Sequence, residues 1–491
     1  MGGNDSSAWR RLLRAAASLT IAAMVAAGAP LGAQRAAQQF DQDSAGRRIL
    51  RDLVEINTTA SNGNTTKAAE LIAGYFRAAG VPAADIAIVG PDDRHGNLVV
   101  RVRGLDSAHK PILLLAHLDV VEAERSDWTF DPFELTERAG YYYGRGTQDV
   151  KSGATTLITA LLRMLAERVR PERDLILALT AGEEGGAPNG VQWLLANRRD
   201  LIEAEYCVNA DGGGVDSDRG RPFALNMQAA EKVYLDVALT VHNDGGHSSM
   251  PRRDNAIVTL ARAITRIAGY QFPVQLNSIT RAYFERSAAL HPGQVGADLR
   301  AAAGTRADTV AIRRLSADPW YNALMRTTCV ATMVNGGHAR NALPQTAMAN
   351  VNCRRLPGVT TDAVVQVLRR VIADTAVALA VEEASPQSPP SPMRPDIEAA
   401  VRAASSAIAP NLPLVPTMET GATDGLYLRT AGIPVYGLNG IAIDTDDVRA
   451  HGRDERVRIA AFQRGQEFAY RLLRNLAAPR NPLPHSGASP Q

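Results

Sequence analysis

Two short stretches of this sequence are apolar at every position, and they constrain the fold more than any other feature. Residues 112–116 read ILLLA and run directly into His117, Leu118 and Asp119, and residues 175–179 read LILAL. A strand without polar positions has no side suited to solvent, so it must be covered on both faces, as strands of parallel sheets are. These stretches therefore predict central strands of a sheet that lies between layers of helices.

Predicted strands and helices alternate around these two stretches. Periodicity predicts strands at residues 97–102, 111–118, 174–180 and 205–209, and helices within 45–80 and at 155–166. Such alternation is typical of βαβ units and parallel pairing. We therefore expect an α/β fold whose mixed, mostly parallel sheet carries helices on both faces.

A different pattern begins after Glu231. In residues 232–242, KVYLDVALTVH, apolar and polar side chains alternate, which is typical of a strand with one face in solvent. A second alternating strand is predicted at 347–353, with helices at 255–267 and 361–373. Together they predict a small α+β domain inserted into the larger one. The pattern suggests no function for residues 271–325.

The N-terminus carries the pattern of an export signal. Residues 9–14, WRRLLR, are basic, and residues 15–33 are apolar and mostly small. This layout predicts a signal peptide and export to the periplasm or the exterior, with no stable membrane insertion once the signal is removed. The alternative is a membrane anchor, because the apolar stretch approaches the length that spans a bilayer.

These patterns divide the sequence into five predicted parts. The Pro-rich residues 385–395 read as a linker between the inserted domain and the end of the larger one. The parts are a signal peptide at 1–33, a first catalytic segment at 34–231, an inserted domain at 232–385, a second catalytic segment at 386–478 and a disordered tail at 479–491.

Charge and cysteine content bear on partners and stability. The net charge is +2 and no long basic block is present, so no nucleic-acid partner is expected. Three cysteines, Cys207, Cys329 and Cys353, are too few for a disulfide framework. Each has apolar neighbours, so we expect three buried free thiols.

Acidic and imidazole side chains follow several of the predicted strands or lie in glycine-flanked loops. The carboxyl ends of parallel strands meet at one edge of an open α/β sheet, so side chains placed there are expected to converge. The residues in these positions are His117, Asp119, Asp149, Glu183, Glu184, Asp211 and His451.

The number and type of these ligands predict two metal ions. Imidazoles and carboxylates suit zinc, and two histidines with several carboxylates suit two ions about 3.5–4 Å apart that share a bridging carboxylate. Asp149 fits the bridge, and Asp119 can orient the ring of His117. One of the adjacent glutamates would bind metal, and the other would take a proton from the attacking water. Cobalt or manganese could replace zinc, since availability as well as affinity decides the ion.

Each of these residues also has an ordinary structural interpretation. An isolated His-x-Asp is common by chance, and adjacent glutamates usually lie on a solvated face. Asp211 precedes three glycines and could be a turn residue, and His451 could be a surface histidine. Their shared location at strand ends and in loops favours a metal site over these separate explanations.

A series of segments, taken in order, resembles the motifs of one enzyme family. The sequence is similar to the aminoacylase/carboxypeptidase family of co-catalytic dizinc metallopeptidases, which includes glutamate carboxypeptidase, aminoacylase and the succinyl-diaminopimelate desuccinylases. The resemblance covers residues 45–475 and is greatest to the carboxypeptidase S-like branch. It implies a zinc-exopeptidase-like fold with an inserted lid or dimerisation domain. The segments are LLLAHLDVV, WTFDPFE, YYYGRGTQDVKSG, TAGEEGG, NADGGG, GHSSMP, NGGHARNALP, NCRRLPG, TGATDG and HGRDE.

The resemblance assigns the metal ligands by position. It implies that His117, Asp149 and Asp211 hold one zinc ion. It implies that Asp149, Glu184 and His451 hold the other.

The resemblance also assigns catalytic and substrate-binding roles. Glu183 would be the general base, Asp119 the orienting acid, and His247 a donor that stabilises the oxyanion, often from the partner subunit of a lid-mediated homodimer. The residues expected to bind substrate are Asn341, Arg354 and Thr423, with Asp424 beside the last. Arg355 is the competing choice for the arginine, and Thr423 could be purely structural.

The resemblance implies hydrolysis of an amide bond adjacent to a free carboxylate, as in carboxypeptidases and dipeptidases, with Glu183 activating the water that bridges the metals. The substrate would then be a small peptide. The alternative is an N-acyl-amino-acid amidohydrolase, such as an aminoacylase or a xenobiotic amidase. A more distant alternative is a non-catalytic, zinc-dependent peptide-binding protein, although binding alone requires no general base.

Overall fold

A computed structural model of the chain describes residues 40–185, 188–304, 306 and 308–478. The predicted signal peptide and the predicted disordered tail lie outside the described residues. Gln42 begins the compact unit that contains every helix and strand given below.

The strands of the described chain form four sheets. They are β1 Ile86–Val89, β2 Asn97–Val102, β3 Ile112–His117, β4 Thr136–Arg138, β5 Tyr141–Tyr143, β6 Leu175–Thr180, β7 Tyr206–Asn209, β8 Gly214–Asp218, β9 Arg221–Glu231, β10 Val233–His242, β11 Gly246–His247, β12 Thr328–Gly336, β13 Ala342–Leu343, β14 Thr346–Arg355, β15 Val377–Ala384, β16 Leu414–Glu419, β17 Val435–Gly437, β18 Ala442–Asp444 and β19 Arg456–Arg458.

The α-helices lie before, between and after these strands, singly or in succession. They are α1 Gln42–Val54, α2 Thr65–Ala78, α3 Lys151–Ala166, α4 Gly190–Asn197, α5 Arg199–Ile202, α6 Ala256–Ala268, α7 Ser278–Ser287, α8 Gln294–Ala303, α9 Thr309–Leu315, α10 Pro319–Met325, α11 Thr361–Ile372, α12 Pro395–Ser405, α13 Gly425–Thr430 and α14 Ile459–Leu476.

The large sheet is mixed, as the sequence predicts. Its strand order is β1-β2-β6-β3-β7-β17-β9-β8-β18, with β16 paired to β9 outside this path. The central strands β6, β3, β7 and β17 are parallel, whereas β1 and β2 pair antiparallel with their neighbours. Strand β8 is antiparallel to β9 and parallel to β18. The predicted α/β fold with a mostly parallel central sheet is confirmed.

The apolar stretches are buried on both faces of this sheet. Every residue of β3 and of β6 is buried. Alternate positions such as Leu113 and Ile176 pack in one cluster with α4, α5 and α13. On the other face α3 packs against β3 and β6 and α14 against β18, and α1 packs against both of these helices. The absence of polar positions from residues 112–116 and 175–179 is therefore a direct consequence of their central place.

The chain leaves the large sheet at Glu231 and enters a second sheet at Val233. This sheet is antiparallel, in the order β12-β14-β10-β15. One face packs against α6 and α11, through residues such as Leu235, Val351 and Leu368. The alternation in residues 232–242 reflects this arrangement, because Leu235 is buried whereas Asp236 faces away from the helices.

Between α6 and β12 the chain forms four helices, α7 to α10. Helix α7 packs against β16 of the large sheet, and Arg286 forms an ion pair with Glu398 at 3.0 Å. The buried Lys232 donates to the main-chain carbonyls of Ala323 and Arg326. These helices therefore connect both sheets. None of the helices in the described residues combines the length and apolar character needed to cross a membrane.

The prediction of three free thiols is wrong for two of them. Cys329 and Cys353 lie directly opposite each other on β12 and β14 and form a disulfide, with their Cα atoms 4.0 Å apart. Cys207 is free and buried. Apolar neighbours predict burial, but the pairing of two strands separated along the chain cannot be read from those neighbours.

We expect the Cys329→Ala/Cys353→Ala double variant to lose stability. The disulfide closes a loop across a sequence separation of 24 residues, and opening a loop of this size costs about 3 kcal/mol in the free energy of unfolding by the chain-entropy model. Denaturant unfolding of the two proteins measures the difference. A reductant should shift the wild-type transition and leave that of the double variant in place; an equal shift in both would contradict the expectation.

Candidate metal centre

Three neighbouring strands deliver acidic and imidazole side chains to one edge of the large sheet. In the parallel pairing, His117 of β3 lies opposite Thr180 of β6, and Leu115 of β3 lies opposite Asn209 of β7. β3 therefore ends at His117, β6 continues into Glu183 and Glu184, and β7 continues into Asp211. The expected convergence at the carboxyl ends of the strands follows from this register.

Two further loops complete the centre. Asp149 lies just before α3, and His451 lies in the loop between β18 and β19. Asp149 stands between the two histidines: its Oδ1 is 3.1 Å from Nε2 of His117, and its Oδ2 is 3.1 Å from Nε2 of His451. Each oxygen of one carboxylate thus faces a different imidazole, which is the arrangement that a bridging ligand requires.

The remaining acids lie on either side of this bridge. Oε2 of Glu184 is 3.0 Å from Nε2 of His451, and Oδ1 of Asp211 is 3.8 Å from Nε2 of His117. Ligand atoms of His117, Glu183 and Asp211 all lie within 4.8 Å of one another. The structure therefore brings together all five predicted ligands, and it places Glu183 beside them.

The electrostatics of the centre fit divalent cations. Burial and the charge of Asp211 raise the pKa of Glu183 to about 10, and burial raises the pKa of Glu184 to about 7 and that of Asp211 to about 6. No arginine or lysine within the described ranges forms an ion pair with any of these carboxylates. Buried carboxylates without such partners are costly unless cations bind them.

The orientation of the His117 ring differs in one detail from the prediction. Nδ1 of His117 is 2.9 Å from the main-chain carbonyl of Asp119, while the carboxylate Oδ1 is 3.8 Å away. The carboxylate accepts instead from the main-chain N–H of Glu184, at 2.9 Å. Asp119 thus fixes the tautomer through its backbone, so that Nε2 faces the ligand cluster, and its side chain holds the loop that carries Glu184.

Two predicted lid residues lie together in a separate two-stranded ribbon. His247 is on β11 and Asn341 precedes β13, and these two strands pair in a short ribbon. The N–H of Ser248 donates to the Asn341 carbonyl at 3.0 Å, and Nδ1 of His247 lies 2.7 Å from Oγ of Ser249. In the described part of the chain, neither side chain forms a hydrogen bond or ion pair with the acidic centre.

The two neighbouring arginines on β14 have different environments. Arg355 is buried, and its guanidinium donates to the main-chain carbonyls of Ser385 and Val359. Arg354 is half-buried on the opposite face, with its guanidinium carbon 4.7 Å from the centre of the Tyr234 ring. Arg355 is therefore occupied by structural contacts, whereas Arg354 is accessible to a ligand.

Thr423 and Asp424 are both engaged by neighbours. The N–H and the hydroxyl of Thr423 donate to Oε2 of Glu231, at 3.0 and 3.1 Å. Oδ2 of Asp424 accepts from the hydroxyl of Thr180 at 2.9 Å. Glu231 is fully buried at the end of β9, and its role in anchoring Thr423 was not apparent in the sequence.

Sequence reasoning also missed two residues that support the centre. Glu455 is fully buried and accepts from the main-chain N–H groups of Gln148 and Asp149, at 2.6 and 3.0 Å. Lys151 is fully buried, and its ammonium donates to the carbonyls of Leu53 and Ile56. Glu455 and Lys151 lie in the same short motifs as His451 and Asp149, so motif membership was the signal that could have indicated them.

Solved structures with the same fold include two peptidases. One is the M20 family metallo-carboxypeptidase Sso-CP2 from Sulfolobus solfataricus, with a TM-score of 0.65 and 17% identity over 88% of this chain and 99% of that chain. The other is human carnosine dipeptidase 1, with a TM-score of 0.61 and 13% identity over 89% of this chain and 97% of that chain.

Sequence relatives extend over most of the chain. The human N-fatty-acyl-amino acid synthase/hydrolase PM20D1 is 27% identical over 473 residues, which are 92% of each protein. The probable carboxypeptidase S-like 2 of Dictyostelium discoideum is 28% identical over 401 residues, covering 77% of this chain and 74% of the relative. The sequence model of peptidase family M20/M25/M40 matches residues 113–475, a span that contains every ligand of the acidic centre. The chain belongs to the M20/M25/M40 peptidase family.

Proposed function

We propose that this metal-dependent hydrolase cleaves an amide bond adjacent to a free carboxylate and that two zinc ions serve the reaction. The observation that carries the proposal is the position of Asp149, whose two oxygens each lie 3.1 Å from a different histidine. This geometry supports a shared ligand between two ions. The rest of the donor set, with carboxylates and imidazoles only, is the kind that zinc prefers, and cobalt or manganese could substitute.

The ligands divide into two groups around Asp149. His117 and Asp211 would complete one position, and Glu184 and His451 the other. When bound, two divalent cations would polarise the scissile carbonyl and offset the negative charge that develops on its oxygen. The fixed tautomer of His117, set by the carbonyl of Asp119, leaves Nε2 available as a ligand atom.

Glu183 is the residue that we propose moves the proton. Burial and the negative charge of the nearby Asp211 raise the pKa of Glu183 and so favour its protonated form. Cations bound at the centre would lower this pKa and favour the carboxylate. As a carboxylate, Glu183 would accept a proton from the attacking water. It would then return that proton to the nitrogen of the departing amine, so the C–N bond breaks with no net proton change.

Arg354 is the residue that we propose binds the substrate carboxylate. Its guanidinium is accessible and stacks on Tyr234, which restricts its orientation. Asn341 and Thr423 are proposed to contribute to the same substrate, although Thr423 already donates to Glu231.

We expect Arg354→Ala to raise KM for carboxylate-bearing substrates by roughly 10- to 100-fold, because hydrogen bonds to charged groups contribute about 1.5–3 kcal/mol. Steady-state kinetics with a substrate and its carboxamide analogue measures the effect. The variant should lose its preference for the carboxylate form. A variant that kept the full preference would contradict the role of Arg354.

Two substrate classes satisfy this description. Carboxypeptidase or dipeptidase activity on small peptides is the first candidate, in keeping with the overall likeness to peptidases. N-acyl amino acids are the second candidate. They are favoured by the relative named N-fatty-acyl-amino acid synthase/hydrolase, whose alignment includes 92% of both proteins.

A substrate panel tests the proposed function. Dipeptides, N-acyl amino acids of increasing acyl length and the carboxamide of each would be compared by kcat/KM. Hydrolysis of either carboxylate-bearing class supports the proposal and identifies the substrate class. Preferential hydrolysis of the carboxamides, or no hydrolysis in either class by zinc-loaded protein, would contradict it.

We also propose that the second sheet mediates a homodimer. Strand β12 lies at the edge of this sheet, and Val330, Met333 and Val334 on it are exposed. A groove of about 250 Å³ beside Val334 is lined by apolar residues of α6 that include Ile257 and Leu260. Long apolar edge strands are rarely exposed to solvent in native proteins. We therefore propose that β12 pairs with a second copy of the chain. Such a dimer would allow His247 to act in the partner's site.

We expect Val334→Lys to convert a dimer into a monomer, because a charged side chain at the edge opposes strand pairing. Light scattering of the purified protein measures the mass. Val310→Lys, at an exposed valine on α9, is the matched control and should remain dimeric. A monomeric wild type, or a dimer unaffected by Val334→Lys, would exclude this interface.

Export remains a proposal that rests on the N-terminal pattern. The disulfide between Cys329 and Cys353 supports it, because disulfides persist in oxidising compartments. Fractionation of cells that express the full chain tests it: recovery in the cytosol, with the N-terminus intact, would contradict export.

A further inference from the structure

The loop that carries His451 is held by a residue beside the bridging aspartate. Oε1 of Gln148 accepts from the main-chain N–H groups of Arg449 and Ala450, at 2.7 and 3.0 Å. Nε2 of the same side chain donates to the carbonyls of Asp447 and Arg456, at 3.1 and 2.8 Å. One amide thus binds the backbone on both sides of His451.

These four contacts use the whole hydrogen-bonding capacity of the Gln148 amide. Its oxygen meets two donors and its nitrogen meets two acceptors, so the reversed amide would place like groups together at all four contacts. The orientation of Gln148 is therefore fixed by its surroundings. A side chain of the same size without an amide, such as leucine, would leave the two N–H groups and two carbonyls of the loop without their Gln148 partner.

A reciprocal contact runs from the His451 loop to the bridging aspartate. Besides the N–H groups of Gln148 and Asp149, the carboxylate of Glu455 accepts from Gly146 N–H at 3.1 Å and from the guanidinium of Arg145 at 2.7 Å. Glu455 is fully buried, so this set of charge-assisted contacts is shielded from solvent. Each loop therefore holds the backbone of the other.

The two histidines of the centre depend on this arrangement to different degrees. His117 terminates a central strand, and its side chain is 1% exposed. His451 lies in a loop with its side chain 55% exposed, and its φ of 61° is uncommon for a residue other than glycine. The sheet positions His117 without help from Gln148, whereas the conformation around His451 is held by the Gln148 contacts.

We infer that Gln148 is a positioning residue that sets the affinity of the ion at the His451–Glu184 position and has little effect on the ion at the His117–Asp211 position. Glu455, which holds Asp149 itself, acts on both positions through their shared ligand. The inference rests on the proposed pair of ions. Residues that orient metal ligands typically change metal affinity by about 10- to 100-fold when they are replaced.

Titration of Zn²⁺ into metal-free protein, followed by calorimetry and by competition with a chromogenic chelator, tests the inference. For Gln148→Leu we expect one ion to bind as in the wild type and the other to bind roughly 10- to 100-fold more weakly. Glu455→Gln should weaken both ions. Asp174→Asn is the matched control, since Asp174 also accepts from an arginine and a main-chain N–H but lies before β6, at the other end of that strand.

A conservative variant guards against misfolding. Gln148→Glu keeps an acceptor for the N–H groups of Arg449 and Ala450 but places an oxygen against two carbonyls. Its affinity for the ion at the His451–Glu184 position should therefore lie between those of the wild type and Gln148→Leu. At saturating Zn²⁺, kcat of both Gln148 variants should recover to near the wild-type value. The inference would be overturned if Gln148→Leu bound both ions more weakly by the same factor, or if it bound both ions with the wild-type affinities. A wild-type chain that binds fewer than two ions would instead refute the proposed function.

Discussion

Glu183→Gln is expected to lower kcat by roughly 10³-fold, within the range that general acid–base catalysis contributes, while the protein keeps its full metal content. The substitution preserves the size of the side chain and removes the carboxylate that would accept the proton. Glu183 faces His117 and Asp211 but is separate from the contacts that join Asp149 to the two histidines. Steady-state kinetics and metal analysis of the same preparation measure both quantities.

The neighbouring glutamate provides the control for this experiment. Glu184→Gln replaces a residue that lies 3.0 Å from Nε2 of His451, so it should lose activity together with one ion. Adjacent and chemically identical substitutions are thus expected to differ in metal content. A Glu183→Gln protein that turns over at near the wild-type rate would rule out the proposed proton transfer. Loss of metal from that variant would instead make Glu183 a ligand.

Asp149→Ala should have the second large effect, which is the loss of both ions and of detectable hydrolysis. Each oxygen of Asp149 faces a different histidine, so one substitution removes a ligand from both positions. It also leaves the remaining buried carboxylates without the cations that would offset their charge, which favours their protonation. Metal analysis after dialysis, with activity measured in parallel, gives the result.

Variants of ligands that serve only one ion position make the expectation for Asp149→Ala specific. Asp211→Ala and His451→Ala each remove a ligand from only one position. Each variant should therefore keep one ion bound more tightly than Asp149→Ala binds either ion. Asp174→Asn should retain both ions, because its contacts lie at the amino end of β6. A chain with Asp149→Ala that keeps two tightly bound ions would show that the bridge lies elsewhere.

The arrangement of the centre was predictable because it follows from the sheet. Strands β3 and β6 are apolar up to their last residues, which implies burial on both faces, and parallel pairing brings their carboxyl ends together. His117 and the adjacent glutamates therefore had to lie near one another once the sheet formed. Asp149 and His451 come from loops, and their inclusion depended on the motifs around them.

Features that depend on register or on backbone contacts were not predictable. Cys329 and Cys353 face each other only because β12 and β14 pair in one particular register. His117 is oriented by the main-chain carbonyl of Asp119. Every residue type has such a carbonyl, so the sequence carries no signal for this contact. Gln148 acts through main-chain groups of a loop about 300 residues away in the sequence, a distance that no local pattern encodes.

The metal requirement is tested most directly by following metal content and hydrolysis in one preparation as the ions are removed and restored. We expect two ions per chain in active protein, loss of hydrolysis as chelation removes them, and recovery when Zn²⁺ is added back. Undiminished hydrolysis by protein shown to be free of metal would contradict the role given to the acidic centre.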